Sequence, residues 1–372
     1  MSAALLVLNT GSSSVKFRLF ALDEALTLLA GGKVEDIGTG ASFKAGLAGA
    51  APQAVALEGA DNHDSAMEAV LNWLDAQPQD WQLLAAAHRI VHGGERFTAP
   101  VALDQAAMDY LQSLSPLAPL HQPHNLAGVR ALARRRPGIR QYGCFDTAFH
   151  ARHGALFNRY ALPDSLFERG IRRYGFHGLS YDWIAHQLRH HHPKLAQGKV
   201  VAAHLGNGAS LCAMKQLASI DTTMGMTALE GLPMGTRCGN IDAGAVVYMV
   251  KGLGMPIEDI EYQLYEESGL KGLSGLSNDV KTLLASSDPK ARFALNFFAL
   301  KVAQQIAAMA VSLGGLDAVV FTGGIGENAA PLRKQILAHL AFLPPFGHLV
   351  IAANEEGCMA LEIQEHFAKE LL

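Results

Sequence analysis

The sequence predicts an α/β protein built of two similar domains, and three observations carry that expectation. A strand, a polar glycine turn and a second strand occur twice, in LLVLNTGSSSVKFRLF (5–20) and in KVVAAHLGNGASLCAM (199–214). That separation is far too wide for a solenoid repeat and points to two domains of one design. Amphipathic helical stretches alternate with short apolar runs along the rest of the chain, the pattern of mixed helix and sheet layers. Finally, the 372 residues are 49% hydrophobic and 17% charged, enough apolar surface for two cores and too much for a disordered chain.

In chain order, the apolar run 5–8, the Gly/Ser turn and the alternation Val15, Phe17, Leu19 read as a β-hairpin. Residues 41–61 are rich in Ala and Gly with little periodicity, and are expected to form an irregular surface excursion that carries no chemistry. Ala66, Val70, Leu71 and Leu74 share one side of a helix over 64–74, and a second helix is expected over 103–114. Strands are expected at 84–91 and 140–145. After the second hairpin, 291–313 reads as a long amphipathic helix. LDAVVFTGGIGENAAPLRKQIL (316–337) then reads as a strand, a glycine turn and a helix beginning near Asn328. Gly324 and Gly326 would let backbone approach a flat ligand, with helix N–H groups turned to its polar edge.

Several classes are excluded. The net charge is −4, from 30 Lys+Arg against 34 Asp+Glu, and no basic stripe exists, so neither nucleic acid nor a membrane surface is an expected partner. The start of the chain lacks the basic region of a secretory signal. The longest uncharged run, 335–354, is interrupted by Pro344, Pro345 and Gly347, so no membrane span is expected. Cys144, Cys212, Cys238 and Cys358 form no C-x-x-C pair and read as reduced thiols of a cytoplasmic protein. Arg134 to Arg136 and His190 to His192 read as solvated helix ends. Neither a Walker A loop nor a dinucleotide-binding glycine fingerprint follows the first strand.

Chemistry concentrates elsewhere. Asn9, Ser12, Ser13, Ser14 and Lys16 would give a hairpin tip hydroxyls, turn N–H groups and one cation, a concavity suited to phosphate; a serine-rich tip in solvent has the same pattern. HRIVHGGERF sets Arg89 and His92 at the end of an apolar strand, and GCFDTAFH sets Asp146 just past another, where α/β sites are built. RYGFHGLSY adds Arg173, Phe176 and His177, and LEGLPMGTRCGNID adds Glu230, Arg237 and Asp242. A guanidinium beside a transferring phosphoryl group neutralises its charge through a planar fork. For each arginine singly, a surface ion pair is the alternative.

Taken in order, VLNTGSSSVKF, HRIVHGGE, LAPLHQPHN, FDTAFH, YGFHGLSY, HLGNGAS, DTTMGMTALEGLPMGTRCGNID, SGLSNDV, FTGGIGEN and NEE resemble the acetate kinase family, along nearly the whole chain. The resemblance implies the ASKHA fold of actin, sugar kinases and heat-shock chaperones: two duplicated actin-like, ribonuclease-H-like domains with an interdomain nucleotide cleft. The domains would cover 1–148 with a returning helix 356–372, and 149–355. It implies reversible phosphoryl transfer from ATP to acetate, giving acetyl phosphate and ADP, by a cytoplasmic homodimer with no nucleic-acid or membrane partner.

By the same resemblance, nucleotide contacts fall on Ser12, Ser14 and Lys16 of the first hairpin and on His204, Leu205, Gly206, Asn207 and Gly208 of the second. Asp279, Val280 and Lys281, and then Gly324, Ile325, Gly326, Glu327 and Asn328, complete them. Asn9 and Glu355 are the positions for Mg²⁺ or Mn²⁺. Arg89 would hold the carboxylate in an apolar pocket of Val91, Leu120, Phe176 and Ala228, while His177 and Arg237 would steady the moving phosphoryl group. Asp146 is the family's acidic catalytic position. A carboxylate substrate is already ionised at neutral pH and needs no general base, so Asp146 is expected to orient an arginine or a magnesium-bound water.

Five positions depart from the family's common residues: Met226 and Ala228 stand for Phe and Pro, Lys281 for Arg, Tyr181 for His and Asn240 for Asp. Ala228 would widen the pocket, so a propionate kinase is the alternative within enzymes. A nucleotide-switched actin-like protein without catalysis is the alternative outside them.

Overall fold

The central strand of the first sheet is the apolar run itself: β1 (Ser2–Thr10) is buried without interruption from Ala4 to Leu8. The structure, a computed structural model, describes residues 2–11, 13–57, 61–77, 81–119 and 121–370. Ser12 and Leu120, both expected at the site, lie outside the described residues. The chain divides into two units, Met1–Ala148 with Asn354–Leu372, and Phe149–Ala353.

In the first unit β2 (Val15–Ala21) returns antiparallel along β1, pairing Asn9 with Lys16 and Thr10 with Val15. Val15, Phe17 and Leu19 turn inward, as their alternation requires. Next come β3 (Leu28–Glu35), β4 (Ser42–Leu47), β5 (Gln53–Val55), β6 (Trp81–Ile90), β7 (Val101–Ala102) and β8 (Arg140–Phe145), in the sheet order β5-β4-β3-β2-β1-β6-β8-β7. β6 and β8 run parallel to β1. The expectation for 41–61 is corrected here. β4 and β5 extend the antiparallel edge, and Phe43 packs within 6.5 Å of the Trp73 ring, because small residues carry an alternation too weak to see in the sequence.

The helix His63–Asp75 is closed at its start by a reciprocal Asn62–Ser65 capping box and buries Ala66, Met67, Val70, Leu71 and Leu74. Arg134, Arg135 and Arg136 close the helix Gln122–Arg135 as the solvated end expected of them, and from there they reach Asp64, Glu68 and Asp75 of the capped helix. All three pairs are exposed and add little stability. The helix Glu355–Glu370 packs on β1 and β6.

In the second unit β9 (Lys199–Leu205), β10 (Ala209–Lys215), β11 (Ala218–Thr222), β12 (Ala318–Thr322) and β13 (Gly347–Val350) lie in the order β11-β10-β9-β12-β13. The first three are antiparallel and the last two run parallel to β9. The strands β3-β2-β1-β6-β8 of the first unit repeat that order and those directions. The duplication is thus one of topology as well as of hairpins.

Ile184, Ala185 and Leu188 of the helix Gly178–His191 pack with Val200, Ala202 and Val320 of the sheet. The helix Pro289–Leu313 is long and apolar enough to cross a membrane, and here it is a core helix, with Ala294, Phe298, Val302 and Ile306 buried. The helix expected near Asn328 is Ala330–His339, and a short helix, Gly323–Asn328, stands before it where a glycine turn was expected. Thr322 is still extended, and Gly323 turns the chain at φ +78°, where an added Cβ would meet the Leu205 carbonyl oxygen at 2.7 Å.

Candidate functional site

Three adjacent parallel strands of the first unit end together, and each delivers one expected residue: Asn9 on β1, Arg89 on β6 and Asp146 just after β8. The Asp146 carboxylate, 2% exposed, accepts the Arg89 Nε–H at 3.0 Å and Nη2–H at 2.7 Å through its two oxygens. Arg89 Nη1 meets Glu355 at 3.1 Å. Burial works against the guanidinium charge, but Asp146 and then Glu355 more than offset it and hold Arg89 above its ordinary pKa. Asp146 therefore orients an arginine, with the planar fork that a carboxylate–guanidinium pair favours.

Lys16, expected on phosphate, reaches the buried Glu356 at 2.7 Å, and Arg18 lies 3.8 Å from the same carboxylate. Three cations here balance three carboxylates, so the cluster is close to neutral as it stands. The Asn9 amide oxygen and the Glu355 carboxylate are hard donors of the type Mg²⁺ takes. The residues present fit that ion.

Two residues of LAPLHQPHN received no role from the sequence. Asn125 donates from Nδ2 to the Thr10 carbonyl at 2.6 Å and accepts the Val91 N–H at 2.9 Å. Gln122 accepts the His92 N–H and donates to the His92 carbonyl. These bonds tie the hairpin to the end of β6 and hold Val91, 7% exposed, in place. At the hairpin tip the Gly11 N–H donates to the Ser14 carbonyl at 2.8 Å.

In the second unit the β9–β10 hairpin gathers the other expected residues. The His177 and His204 rings stack with centroids 4.4 Å apart. His177 precedes the helix Gly178–His191 in the left-handed region at φ +58°, a conformation that costs a non-glycine residue about 1–2 kcal/mol. A Cβ built on Gly208 would lie 3.4 Å from His177 Nε2 and 3.8 Å from Arg237 Nη1, so the ring and the guanidinium both look onto that bare backbone. Arg237 donates from Nη1 to the Ala228 carbonyl at 3.1 Å. Burial lowers its pKa, with Tyr265 and Glu266 partly offsetting it.

Asn207 joins three loops. Its carbonyl accepts the Gly235 N–H at 2.9 Å, and its side-chain oxygen accepts from Asn278 at 3.1 Å. The Arg237 loop and the loop before Asp279 are thereby pinned to the hairpin tip. Pairing of Thr322 with His204 sets the Gly323 turn beside the same tip.

Individual roles differ in kind. Asp279 caps the helix Val280–Ala285, and hydrogen bonds from the Thr282 hydroxyl and N–H hold its carboxyl below the usual range. Val280 is a core residue and Lys281 is exposed. Gly324 is exposed, with no heavy atom within 4 Å of the place a Cβ would take. Glu327 is engaged inside the fold, accepting the N–H groups of Gly323 and Ala353 at 3.0 and 2.9 Å. Asn328 donates to the Gly324 carbonyl at 2.8 Å, and Gly326 is buried against Phe321, Ala203 and Leu205. Phe176, 2% exposed, gives its carbonyl to His150 Nε2–H at 3.0 Å.

Arg173 and Glu230 pair with each other, and Glu230 also takes the Tyr160 hydroxyl, whose oxygen accepts the Met226 N–H at 2.9 Å. That group braces the GMTALEG loop. Asn240 closes the same loop onto Gly231 at 2.8 Å, and Asp242 caps the helix Ala243–Lys251.

Residues 4–354 match the profile of the acetokinase family. The chain is 45% identical over 348 residues to the acetate kinase of Rhodopseudomonas palustris (strain TIE-1), covering 92% of this chain and 87% of that one. Among solved structures it resembles Porphyromonas gingivalis acetate kinase, with TM-score 0.87, 32% identity and coverage of 98% and 100% of the two chains. It also resembles a propionate kinase from Francisella tularensis subsp. tularensis SCHU S4, with TM-score 0.89, 34% identity and coverage of 97% and 98%. These likenesses make the two repeated sheets actin-like domains of the ASKHA fold.

Proposed function

The chain belongs to the acetokinase family, and from that premise we propose that it is an acetate kinase, moving the γ-phosphoryl group of ATP to acetate and forming acetyl phosphate and ADP reversibly. The observation that carries this reading is the pairing of two phosphoryl-directed groups, His177 Nε2 and Arg237 Nη1, over Gly208. In this reading Arg89, oriented by Asp146, holds the acetate carboxylate beside Val91, Phe176 and Ala228. The ionised carboxylate attacks phosphorus in line, and His177 and Arg237 counter the charge on the equatorial oxygens. The hairpin residues His204 to Gly208, the turn Gly324 to Asn328 and the 279–281 loop receive the nucleotide. Asn9 and Glu355 would hold Mg²⁺ (or Mn²⁺), which supplies the charge that an otherwise balanced cluster lacks.

Ala228 bears on substrate choice. Its carbonyl holds Arg237 whatever the side chain, so exchange of a proline ring for a methyl group alters pocket volume and leaves that bond intact. One methylene is worth roughly 10- to 200-fold in a close-fitting pocket. The test is kcat/KM for acetate, propionate and butyrate with MgATP, trapping the acyl phosphate as its hydroxamate. Acetate is expected to lead; a propionate lead would rename the enzyme without changing its chemistry, and no turnover with any of the three would overturn the kinase reading.

We further place the enzyme in the cytoplasm as a homodimer. The helix Ala243–Lys251 buries none of its residues, and Val247, Tyr248 and Val250 are 52%, 61% and 41% exposed, an apolar face of the type that second copies cover. Light scattering is expected to give twice the 39.7 kDa chain mass, and Tyr248→Asp to give monomer. A monomeric parent protein would refute the dimer.

A further inference from the structure

Ser210 sits at the centre of a short relay whose protons can be assigned. On β10 it pairs across the hairpin with His204. Its Oγ lies 2.9 Å from His177 Nδ1 and 2.5 Å from the Tyr181 hydroxyl. The helix brings His177 and Tyr181 together, since positions four apart share a face. Tyr181 and Ser210 are both fully buried, so each hydroxyl proton must go to a partner within the fold.

The direction follows from the chemistry of the two hydroxyls. The phenol is the stronger acid, so across the 2.5 Å contact Tyr181 donates to Ser210. Ser210 then has one proton left to give, and gives it to His177 Nδ1. A neutral imidazole that accepts at Nδ1 carries its own proton on Nε2. Nε2 is the atom facing Gly208 beside Arg237.

We propose that Tyr181 and Ser210 are positioning residues that hold His177 as the Nε2–H tautomer, aiming a hydrogen-bond donor at the transferring phosphoryl group. The idea rests on the kinase reading above and adds to it a fixed proton. Without the relay, Ser210 is free to rotate and accept from Nδ1–H, leaving Nε2 as a lone pair facing phosphate oxygens, which repels where it should bind. The left-handed backbone at His177 has the same effect on ring direction: the geometry is held by its surroundings and not by local preference.

The experiment compares the parent enzyme with Tyr181→Phe, Ser210→Ala and the double variant. Each is ¹⁵N-labelled at histidine, with the His177 ring signals assigned by their loss in His177→Gln. In the parent, long-range ¹H–¹⁵N spectra should show the Nε2–H pattern. Tyr181→Phe should shift it toward Nδ1–H and lower kcat about tenfold, with KM for acetate unchanged; the donor being misdirected is the cause, and loss of such a donor outright costs more. Ser210→Ala, which removes the partner of Nδ1 altogether, should leave a mixture of the two ring patterns and lower kcat similarly even if Tyr181→Phe does not fold, and the double variant should lose no more than Ser210→Ala alone. A merely structural role would lower Tm and leave the ring pattern untouched. An unchanged pattern, an unchanged kcat or additive losses would each overturn the proposal. The ring spectra need no turnover, so a failure of the kinase reading, seen as an inactive parent, is distinguishable from a failure of this one.

Discussion

Replacing Arg237 by alanine lowers kcat by about 10²-fold or more, the usual cost of losing one preorganised contact to a developing charge. The size follows from where the guanidinium sits. Its Nη1 donates to the Ala228 carbonyl and lies 3.8 Å from the place a Cβ of Gly208 would take, beside His177 Nε2. A contact made mainly in the transition state should reduce kcat far more than it raises KM for either substrate. Arg237→Lys retains charge but loses the fork, and should fall between the parent and the alanine variant. Steady-state kinetics beside a melting curve decide the matter: turnover within tenfold of the parent would remove Arg237 from the chemistry.

Acid should destabilise both units steeply. Burial pushes His88 and His92 of the first unit down to about 4, and in the second unit it pushes His150 down to about 3 and His153 to about 4. For His88 a bond to Gln141 opposes the shift, while the neighbouring His153 adds to that of His150, and Arg173 to that of His153. All four are neutral when folded and ordinary when unfolded. Below the ordinary value of 6.5 the unfolded chain therefore binds more protons than the folded one, and stability falls as pH falls. The contribution is intact above that value and is lost as pH drops toward 4 and 3, at about 1.4 kcal/mol per histidine per pH unit. Calorimetry from pH 7.5 to 4.5 should show Tm level at first and then dropping sharply below about 6.5. A flat profile to pH 4.5 would mean that these rings are not held neutral.

Some of this was legible in the sequence because its causes are local. An apolar run, a glycine turn and an alternating return specify a hairpin whatever surrounds them, and both hairpins form where their patterns lie. The strand over 140–145 and the helix over 63–75 follow in the same way from side-chain periodicity. Arg89 and Asp146 were noticed because each ends an apolar strand. What their separate motifs could not state is that the two bind each other, 57 residues apart, because β6 and β8 are neighbours in parallel.

Other features were decided only by the tertiary structure. The strands of 42–55 were hidden because Ala and Gly carry almost no contrast between faces. The short helix that starts at Gly323, ahead of Ala330–His339, depends on the Leu205 backbone lying against that glycine. That Lys16 faces Glu356 of the returning helix, and that Tyr181 meets Ser210 of β10, could be read from neither motif alone. By itself, then, the sequence determined both hairpins, the strongly periodic strands and helices, and which residues could do phosphoryl chemistry. Which of those residues are partners was decided by sheet order and strand register, since a hydrogen bond or an ion pair depends on ångström-scale placement between segments that are distant in the chain.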